Sequence, residues 1–193
     1  MSKLHDAVKK FSEDFTATKK QVYANRSQYD LNKIYQDCYL SKLAEFAAWK
    51  YLTVNLANYP QYKPTKQPSL VLLRRANWDA DLYNDKYKFA VKSVTESTAK
   101  AFELSWTFQQ SKGHDPILDI RDVMYKVIFV EIYNENKFLI YGASHTQALK
   151  DSGAYMFEDG IDLPKFKGIK LFVKADKVLP KVIWIINKEI EIK

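Results

Sequence analysis

The chain has little cysteine and lacks the sequence features of exported or membrane-spanning proteins. Its single cysteine, Cys38, cannot form an internal disulfide, and no Cys/His ligand spacing of a zinc site occurs. No stretch approaches the ~18 uninterrupted apolar residues that span a bilayer, and the first residues lack the apolar run of a signal peptide. No repeat or low-complexity tract is present either. We therefore expect a cytoplasmic protein with no membrane partner.

Length and composition are those of an ordinary globular protein. The chain has 193 residues, of which 47% are hydrophobic and 27% are charged. This balance favours a folded chain with a substantial core over a disordered one. We expect a single domain over residues 1–193, with a helical segment at 1–57 and a sheet-containing core with C-terminal strands at 58–193.

The charge of the chain favours a polyanionic partner. Thirty Lys and Arg residues oppose 23 Asp and Glu residues, which gives a formal net charge of +7. Such an excess favours nucleic acid through phosphate contacts and counterion release. Charge by itself is a weak signal, so the inference depends on motifs.

Helical periodicity dominates the first third of the chain. Apolar residues at helical spacing predict one helix from Ser2 to about Ala24 and a second from Leu31 to about Leu56, which Asp30 caps. Three prolines within 58–68 mark a loop. A third helix is predicted from Ser97 to about Gln110, with Ser97 or Thr98 as its cap.

After the proline-rich loop the pattern becomes typical of strands. The predicted strands are Leu70–Leu73, Asp79–Tyr83, Tyr87–Val94, Lys126–Tyr133, Lys137–Gly142, Gly168–Val173 and Lys181–Asn187. Turn residues predict hairpins over Leu82–Val94 and around Asn134, and a short helix is predicted over Thr146–Ser152. This order predicts an α/β fold with a mixed central sheet flanked by helices.

One constellation of charged residues carries a chemical signal. Asp81 opens a strand, a tight turn follows, and Lys92 lies near the end of the next strand, while Glu45 lies on the preceding long helix. This order resembles the PD-(D/E)xK nucleases, which have a restriction-endonuclease-like core. The resemblance implies that Asp81 and Glu45 hold Mg²⁺ and that Lys92 orients the attacking water. Phosphodiester hydrolysis needs hard oxygen ligands and a positive group of this kind.

Two positions of this pattern have alternatives. Asp79 competes with Asp81, because both residues share a face of any strand through them. We prefer Asp81, because apolar residues follow it directly, as in the family. Ala90 stands where the family has its second acidic residue, on the same face of the strand as Lys92.

Three explanations for Ala90 remain open. A deliberate substitution of a natural acid by alanine would leave every other feature of the site normal. Alternatively, the third metal ligand has moved to the following helix, where Glu103 lies eleven positions after Lys92 and Glu96 is the less suitable choice. In the third explanation the site is inactive and the protein only binds nucleic acid.

The resemblance also implies DNA contacts. The candidate contacts around the site are Arg74, Arg75, Ser93, Gln109, Lys112 and His114. A further basic patch is formed by Lys165, Lys167 and Lys170. His114 beside Asp115 resembles an acid/base pair, but no nucleophile is near in sequence, so a polar loop contact is expected.

These features together predict a Mg²⁺-dependent DNA endonuclease of restriction type. Double-stranded DNA is the expected substrate, and a homodimer would place two sites across a duplex. The alternative is a catalytically inactive nuclease-fold protein that binds DNA, such as a phage or mobile-element factor. The hypothesis requires that the side chains of Glu45, Asp81 and Lys92 meet at one pocket.

Overall fold

A computed structural model describes most of the chain in ten segments. The described residues are 3–24, 28–55, 59–72, 80–109, 115–120, 122, 124–151, 155–156, 170–178 and 184–192. The helices are α1 (Lys3–Ala24), α2 (Leu31–Lys50), α3 (Glu96–Phe102), α4 (Thr146–Asp151) and α5 (Ala175–Val178). The strands are β1 (Leu82–Tyr83), β2 (Lys88–Thr95), β3 (Ser105–Gln109), β4 (Tyr125–Ile132), β5 (Lys137–Ser144), β6 (Tyr155–Met156), β7 (Lys170–Lys174) and β8 (Trp184–Glu191). The fold is mixed α/β, as predicted.

The first sheet is mixed and has five strands in the order β1-β2-β4-β5-β8. β2 and β4 pair in parallel, whereas the other neighbours pair antiparallel. The predicted hairpins, β1 with β2 and β4 with β5, are both confirmed. The parallel pair requires a long connection between β2 and β4, and this connection carries α3 and β3.

A second, three-stranded sheet has the order β3-β7-β6 and is antiparallel. It lies on one face of the first sheet, and α1 and α2 lie on the other. Alternate residues of β2 therefore enter different cores: Phe89 packs under α2, and Ala90 packs against the second sheet. The chain thus builds a helical layer, a mixed sheet and a smaller sheet, in that order.

The two N-terminal helices were predicted correctly. α1 buries Val8 and Phe11, and α2 buries a broad apolar face that includes Leu43 and Phe46. The side chain of Asp30 accepts a hydrogen bond from the backbone N–H of Lys33, as expected of an N-cap. α2 continues as a π-helical turn over Tyr51–Asn55, and a 3₁₀ turn follows at Pro60–Tyr62. Ser2 lies outside the described residues.

The predicted third helix over residues 97–110 is wrong in its second half. The helix ends at Phe102, Glu103 takes a positive φ of 59°, and β3 follows. Trp106 and Phe108 are buried while Thr107 between them is exposed, which is the period of a strand. Thr95 provides the helix cap, instead of Ser97 or Thr98, because its side chain accepts from the backbone N–H of Thr98.

The strand predicted over residues 70–73 is also wrong for the described residues 70–72. Val71 is exposed, and its backbone N–H donates to the side chain of Ser69 in a local turn. Such a turn competes with strand pairing. Of the strand predicted over residues 79–83, only β1 forms, and Leu73 and Asp79 lie outside the described residues.

The remaining predictions for the second half are confirmed with shifted ends. α4, β7 and β8 correspond to the predicted elements, whereas β6 and α5 were not predicted. Of the helices in the described part of the chain, none has both the length and the apolar character required to cross a membrane.

Candidate functional site

Five charged side chains from both sides of β2 form an electrostatically linked group, which we call the charge cluster. They are Lys42, Glu45, Asp81, Lys92 and Asp115. α2 contributes the first two, β2 contributes Lys92, and Asp81 immediately precedes β1. Asp115 precedes the 3₁₀ turn Pro116–Leu118. Residues far apart in sequence therefore meet where α2 packs on β2.

Asp81 lies at the centre of the charge cluster. Its Oδ2 atom accepts a hydrogen bond of 2.7 Å from the backbone N–H of Val91, which fixes the carboxylate against β2. Burial raises the pKa of Asp81, and Asp115 raises it further. The N–H of Val91 and the ammonium groups of Lys42 and Lys92 act in the opposite direction on this pKa. The carboxylate of Asp81 thus interacts both with Lys42 on α2 and with Lys92 on β2.

Glu45 is buried on α2, one helical turn after Lys42. The Nζ atom of Lys42 donates to Oε2 of Glu45 at 2.6 Å. Burial, followed by the negative charge of Asp81, raises the pKa of Glu45 to about 8, against the opposing effect of Lys42. Burial and the negative charge of Asp81 therefore disfavour the ionised form of Glu45, which a proton or a cation would relieve.

Lys92 is held by contacts on the other side of β2. Its ammonium forms an ion pair with Oδ2 of Asp115 and lies 4.9 Å from the ring centroid of Phe108. Asp115 is itself anchored, because its backbone N–H donates to the carbonyl of Gln109 at 2.8 Å. Its Oδ1 atom accepts from the N–H of Ile117 at 3.3 Å. The position of the ammonium is thereby fixed from two sides.

Of the residues predicted for the site, Glu45 and Lys92 each interact electrostatically with Asp81, whereas neither candidate position for the third acid joins them. Glu45, Asp81 and Lys92 belong to one cluster. Ala90 is 3% exposed and packs in the second core, where a methyl group offers no ligand. The side chain of Glu103 is 72% exposed and forms an ion pair of 2.7 Å with Lys174 of β7.

The position of Glu103 follows from the correction to the third helix. α3 leaves the carboxyl end of β2, whereas Asp81 lies beside Val91 in the first half of that strand. Glu103 follows the last residue of this helix, and its carboxylate forms an ion pair with Lys174 of the second sheet. Glu96 forms an i,i+4 ion pair with Lys100 on the same helix. Neither glutamate joins the charge cluster.

The predicted DNA contacts are only partly within the described residues. Ser93 is half-buried, and its hydroxyl donates to the hydroxyl of Ser41 on α2 at 3.4 Å. Gln109 is half-buried at the end of β3, beside the segment that holds Asp115. Outside the described residues lie Arg74, Arg75, Lys112, His114, Lys165 and Lys167. The backbone of Lys170 begins β7.

Two members of the charge cluster were not identified from the sequence. Lys42 lies three positions before Glu45, and helical spacing brings such residues together; this signal was available. Asp115 is 23 positions from Lys92 and was noted only as a neighbour of His114. No periodicity reports its contact with Lys92, which depends on how the segment after β3 folds back.

The charge cluster contains oxygen donors of the kind that Mg²⁺ takes in proteins. Mg²⁺ binds through one or two carboxylates, with water and phosphate oxygens completing its coordination. Glu45 and Asp81 are such a pair, and the charge of Asp81 disfavours the ionised form of Glu45. Within the described ranges no three Asp, Glu, His or Cys side chains are gathered as a metal-holding group. The cluster therefore fits Mg²⁺ as a two-carboxylate site.

Comparisons with known proteins identify no family. A scan against protein-family profiles matched none, and searches of curated proteins and of solved structures found no match either.

Proposed function

We propose that the chain is a Mg²⁺-dependent deoxyribonuclease with a restriction-endonuclease-like core of the PD-(D/E)xK type. The observation that carries the proposal is the electrostatic contact of Asp81 with Glu45 on the helix side and with Lys92 on the strand side. Two carboxylates and one amine on these elements are the set that the sequence resemblance implies.

The fold supports this proposal. A helix carrying Glu45 packs on β2, which carries Lys92 and pairs with β1, and Asp81 immediately precedes β1. β2 then pairs in parallel with β4 after a connection containing α3. The order of elements and the positions of the three residues on them agree with the resemblance.

Each residue has a distinct role in the proposed reaction. Glu45 and Asp81 would hold Mg²⁺, which supplies charge neutralisation for the phosphate and activation of water when it is bound. The hydrogen bond from Val91 orients the carboxylate of Asp81. Lys92, fixed by Asp115 and Phe108, holds its ammonium where it can position the attacking water against a phosphate.

Asp115 is a further acid of the charge cluster, and its carboxylate contacts Lys92. Asp115 raises the pKa of Asp81, so its carboxylate shares the same electrostatic environment. We assign Asp115 a positioning role on Lys92, in preference to a ligand role for Glu103. Cleavage of both strands of a duplex by one site per chain would follow most simply from a homodimer.

The test is cleavage of plasmid DNA in the presence of Mg²⁺. We expect cutting by the chain as it stands or by its Ala90→Glu variant, and loss of cutting by at least about a hundredfold in Lys92→Ala. Glu96→Gln, which removes an exposed carboxylate outside the cluster, is the matched control for Glu45→Gln and Asp81→Asn. Absence of cutting in both the original chain and Ala90→Glu contradicts the nuclease proposal.

One observation favours a second candidate function. Because Ala90 provides no ligand and the cluster supplies two carboxylates for a cation, a nuclease-fold protein that binds DNA without cutting it is the alternative. Retention of DNA binding in Lys92→Ala, together with no cutting by any variant, supports this alternative.

A further inference from the structure

An exposed surface of lysines and tyrosines borders β1, and we call it the lysine–tyrosine edge. Its members are Tyr59, Lys63, Lys66, Tyr83, Lys86 and Lys88, all of them exposed. They come from the residues on either side of the 3₁₀ turn Pro60–Tyr62, from β1, from the β1–β2 turn and from the start of β2. None of them was among the DNA contacts predicted from the sequence.

Hydrogen bonds join these short segments into one surface. The backbone N–H of Thr65 donates to the carbonyl of Tyr83 at 2.9 Å. The side-chain amide of Asn84 donates to the carbonyls of Gln61 and Lys63 at 2.9 and 3.0 Å. Although its segments lack regular structure, the edge has a fixed arrangement against the hairpin.

The edge is strongly positive. Residues 59–72 and 82–88 contain four lysines against one acidic residue, Asp85. Two of the lysines lie over aromatic rings: Lys86 Nζ is 5.3 Å from the ring centroid of Tyr87, and Lys88 Nζ is 5.1 Å from that of Tyr125. These contacts orient the lysine stems while the side chains stay exposed. A fixed group of ammonium groups on one side of a fold attracts phosphates.

The edge leads towards the charge cluster. Tyr83 and Lys88 are register partners across β1 and β2, so their side chains share a face of the sheet. Lys92 is on that same face of β2, four residues further along the strand, which corresponds to roughly 13 Å. The buried Ala90 lies between Lys88 and Lys92 on that face, so a nucleic-acid strand lying across Tyr83 and Lys88 would meet the charge cluster at Asp81, which immediately precedes β1.

We propose that the lysine–tyrosine edge binds a single-stranded segment of nucleic acid beside the charge cluster. The lysines contact phosphates, and the exposed rings of Tyr83 and Tyr59, which are 37% and 51% exposed, stack on bases. Exposed aromatic rings among basic residues are the combination by which proteins hold single strands. The inference rests on the proposed function for its assignment of the charge cluster as the reaction site, but the binding itself is testable without cleavage.

The first experiment measures binding of a fluorescein-labelled DNA oligonucleotide by anisotropy in EDTA, as a single strand and as a duplex. The edge variant carries Lys63→Gln, Lys66→Gln, Lys86→Gln and Lys88→Gln. A control variant with the same loss of charge carries Lys3→Gln, Lys10→Gln, Lys20→Gln and Lys188→Gln, all exposed elsewhere. We expect single-strand affinity to fall at least about tenfold in the edge variant, with a shallower salt dependence, and about threefold or less in the control.

Substitution of the two exposed tyrosines distinguishes binding of a single strand from binding of a duplex. We expect Tyr59→Ser with Tyr83→Ser to weaken single-strand binding about tenfold and duplex binding by much less. Equal weakening by the edge and control variants, or duplex binding that exceeds single-strand binding with no effect of the tyrosines, overturns the inference.

The outcome is separable from that of the nuclease proposal. Edge-dependent binding by a chain that never cuts in Mg²⁺, even as Ala90→Glu, supports the edge and contradicts the nuclease. Cutting by a chain whose edge variant binds the single strand as tightly as the original overturns the edge and leaves the nuclease intact.

Discussion

At the scale of single residues, the charge cluster is costly to the folded chain when no cation is bound. Glu45 is 8% exposed, and Asp81 adds negative charge beside it. An ion pair with Lys42 offsets part of this cost, but burial has the larger effect on the pKa of Glu45. Groups that destabilise a fold in this manner are concentrated at functional sites, which is consistent with the proposed role of the cluster.

The unfavourable burial of the charged Glu45 carboxylate predicts that Glu45→Gln stabilises the fold, and that the gain in the free energy of unfolding increases with pH. The pKa of this carboxyl rises from 4.5 to about 8 on folding, so its neutral form is favoured and its contribution to stability is lost as the pH rises through this range. The variant does not titrate. In EDTA, its free energy of unfolding relative to the original chain should increase by on the order of 2 to 4 kcal/mol between pH 4.5 and 8.

Urea unfolding at both pH values measures this difference. Glu13→Gln, at an exposed position on α1, is the matched control and should show no such change. A difference between Glu45→Gln and the original chain that stays constant over this range would contradict the burial of the carboxyl.

At the scale of elements, the ends of α2 and α3 show how local chemistry sets boundaries. α2 begins where Asp30 caps it, and the sequence predicted this end. α3 ends where Glu103 takes a positive φ, which is unusual for a residue with a β-carbon, and the sequence did not predict that end. Pairing of β3 with β7 provides the interactions that hold this turn.

The cap of α2 predicts a modest loss of stability in Asp30→Ala. The carboxylate accepts from the backbone N–H of Lys33 at 3.0 Å, and its removal leaves that donor to water. We expect a decrease of about 1 kcal/mol in the free energy of unfolding. Asp37→Ala is the control, because it removes an exposed carboxylate that forms an i,i+4 ion pair with Lys33, and it should cost about 0.5 kcal/mol or less. Equal effects of the two substitutions would argue against the cap.

At the scale of the whole molecule, the first sheet joins two cores. Successive residues of β2 and β4 enter opposite cores, so that Ile128 packs under α2 while Phe129 packs against the second sheet. Trp106 of β3 is fully buried in the second core, where its Nε1 donates to the carbonyl of Val130 at 2.9 Å. Because the two cores share strands, we expect them to unfold together.

This coupling predicts the behaviour of Trp106→Ala. The substitution leaves a cavity and removes the hydrogen bond to the carbonyl of Val130, and should lower the free energy of unfolding by about 3 to 5 kcal/mol. Although the change lies in the second core, we expect the far-UV circular dichroism signal of α1 and α2 to shift with it. The helices should unfold at the same, lower urea concentration as the second core. Tyr29→Ala, at an exposed position, should leave the transition in place. A helical transition unchanged by Trp106→Ala would mean that the cores unfold independently.

The sequence by itself determined the elements whose signals are local. Periodic apolar residues and a capping aspartate fixed α1 and α2, and alternation with turn residues fixed the β4–β5 hairpin. The sequence also shows the order of Glu45, Asp81 and Lys92 along the chain, on which the resemblance to the nucleases depends. These features depend on interactions among near neighbours, which a one-dimensional pattern records.

Only the tertiary structure decided what depends on distant contacts. β3 is a strand because β7 pairs with it, and its sequence also suits a helix, so local propensity did not decide the outcome. Because the chain reverses direction after α3, Asp115 forms an ion pair with Lys92. Glu103 instead forms an ion pair with Lys174, outside the charge cluster. The charge cluster and the lysine–tyrosine edge both bring together residues from separate segments, and their proximity is set by packing of α2 and by the register of β1 on β2.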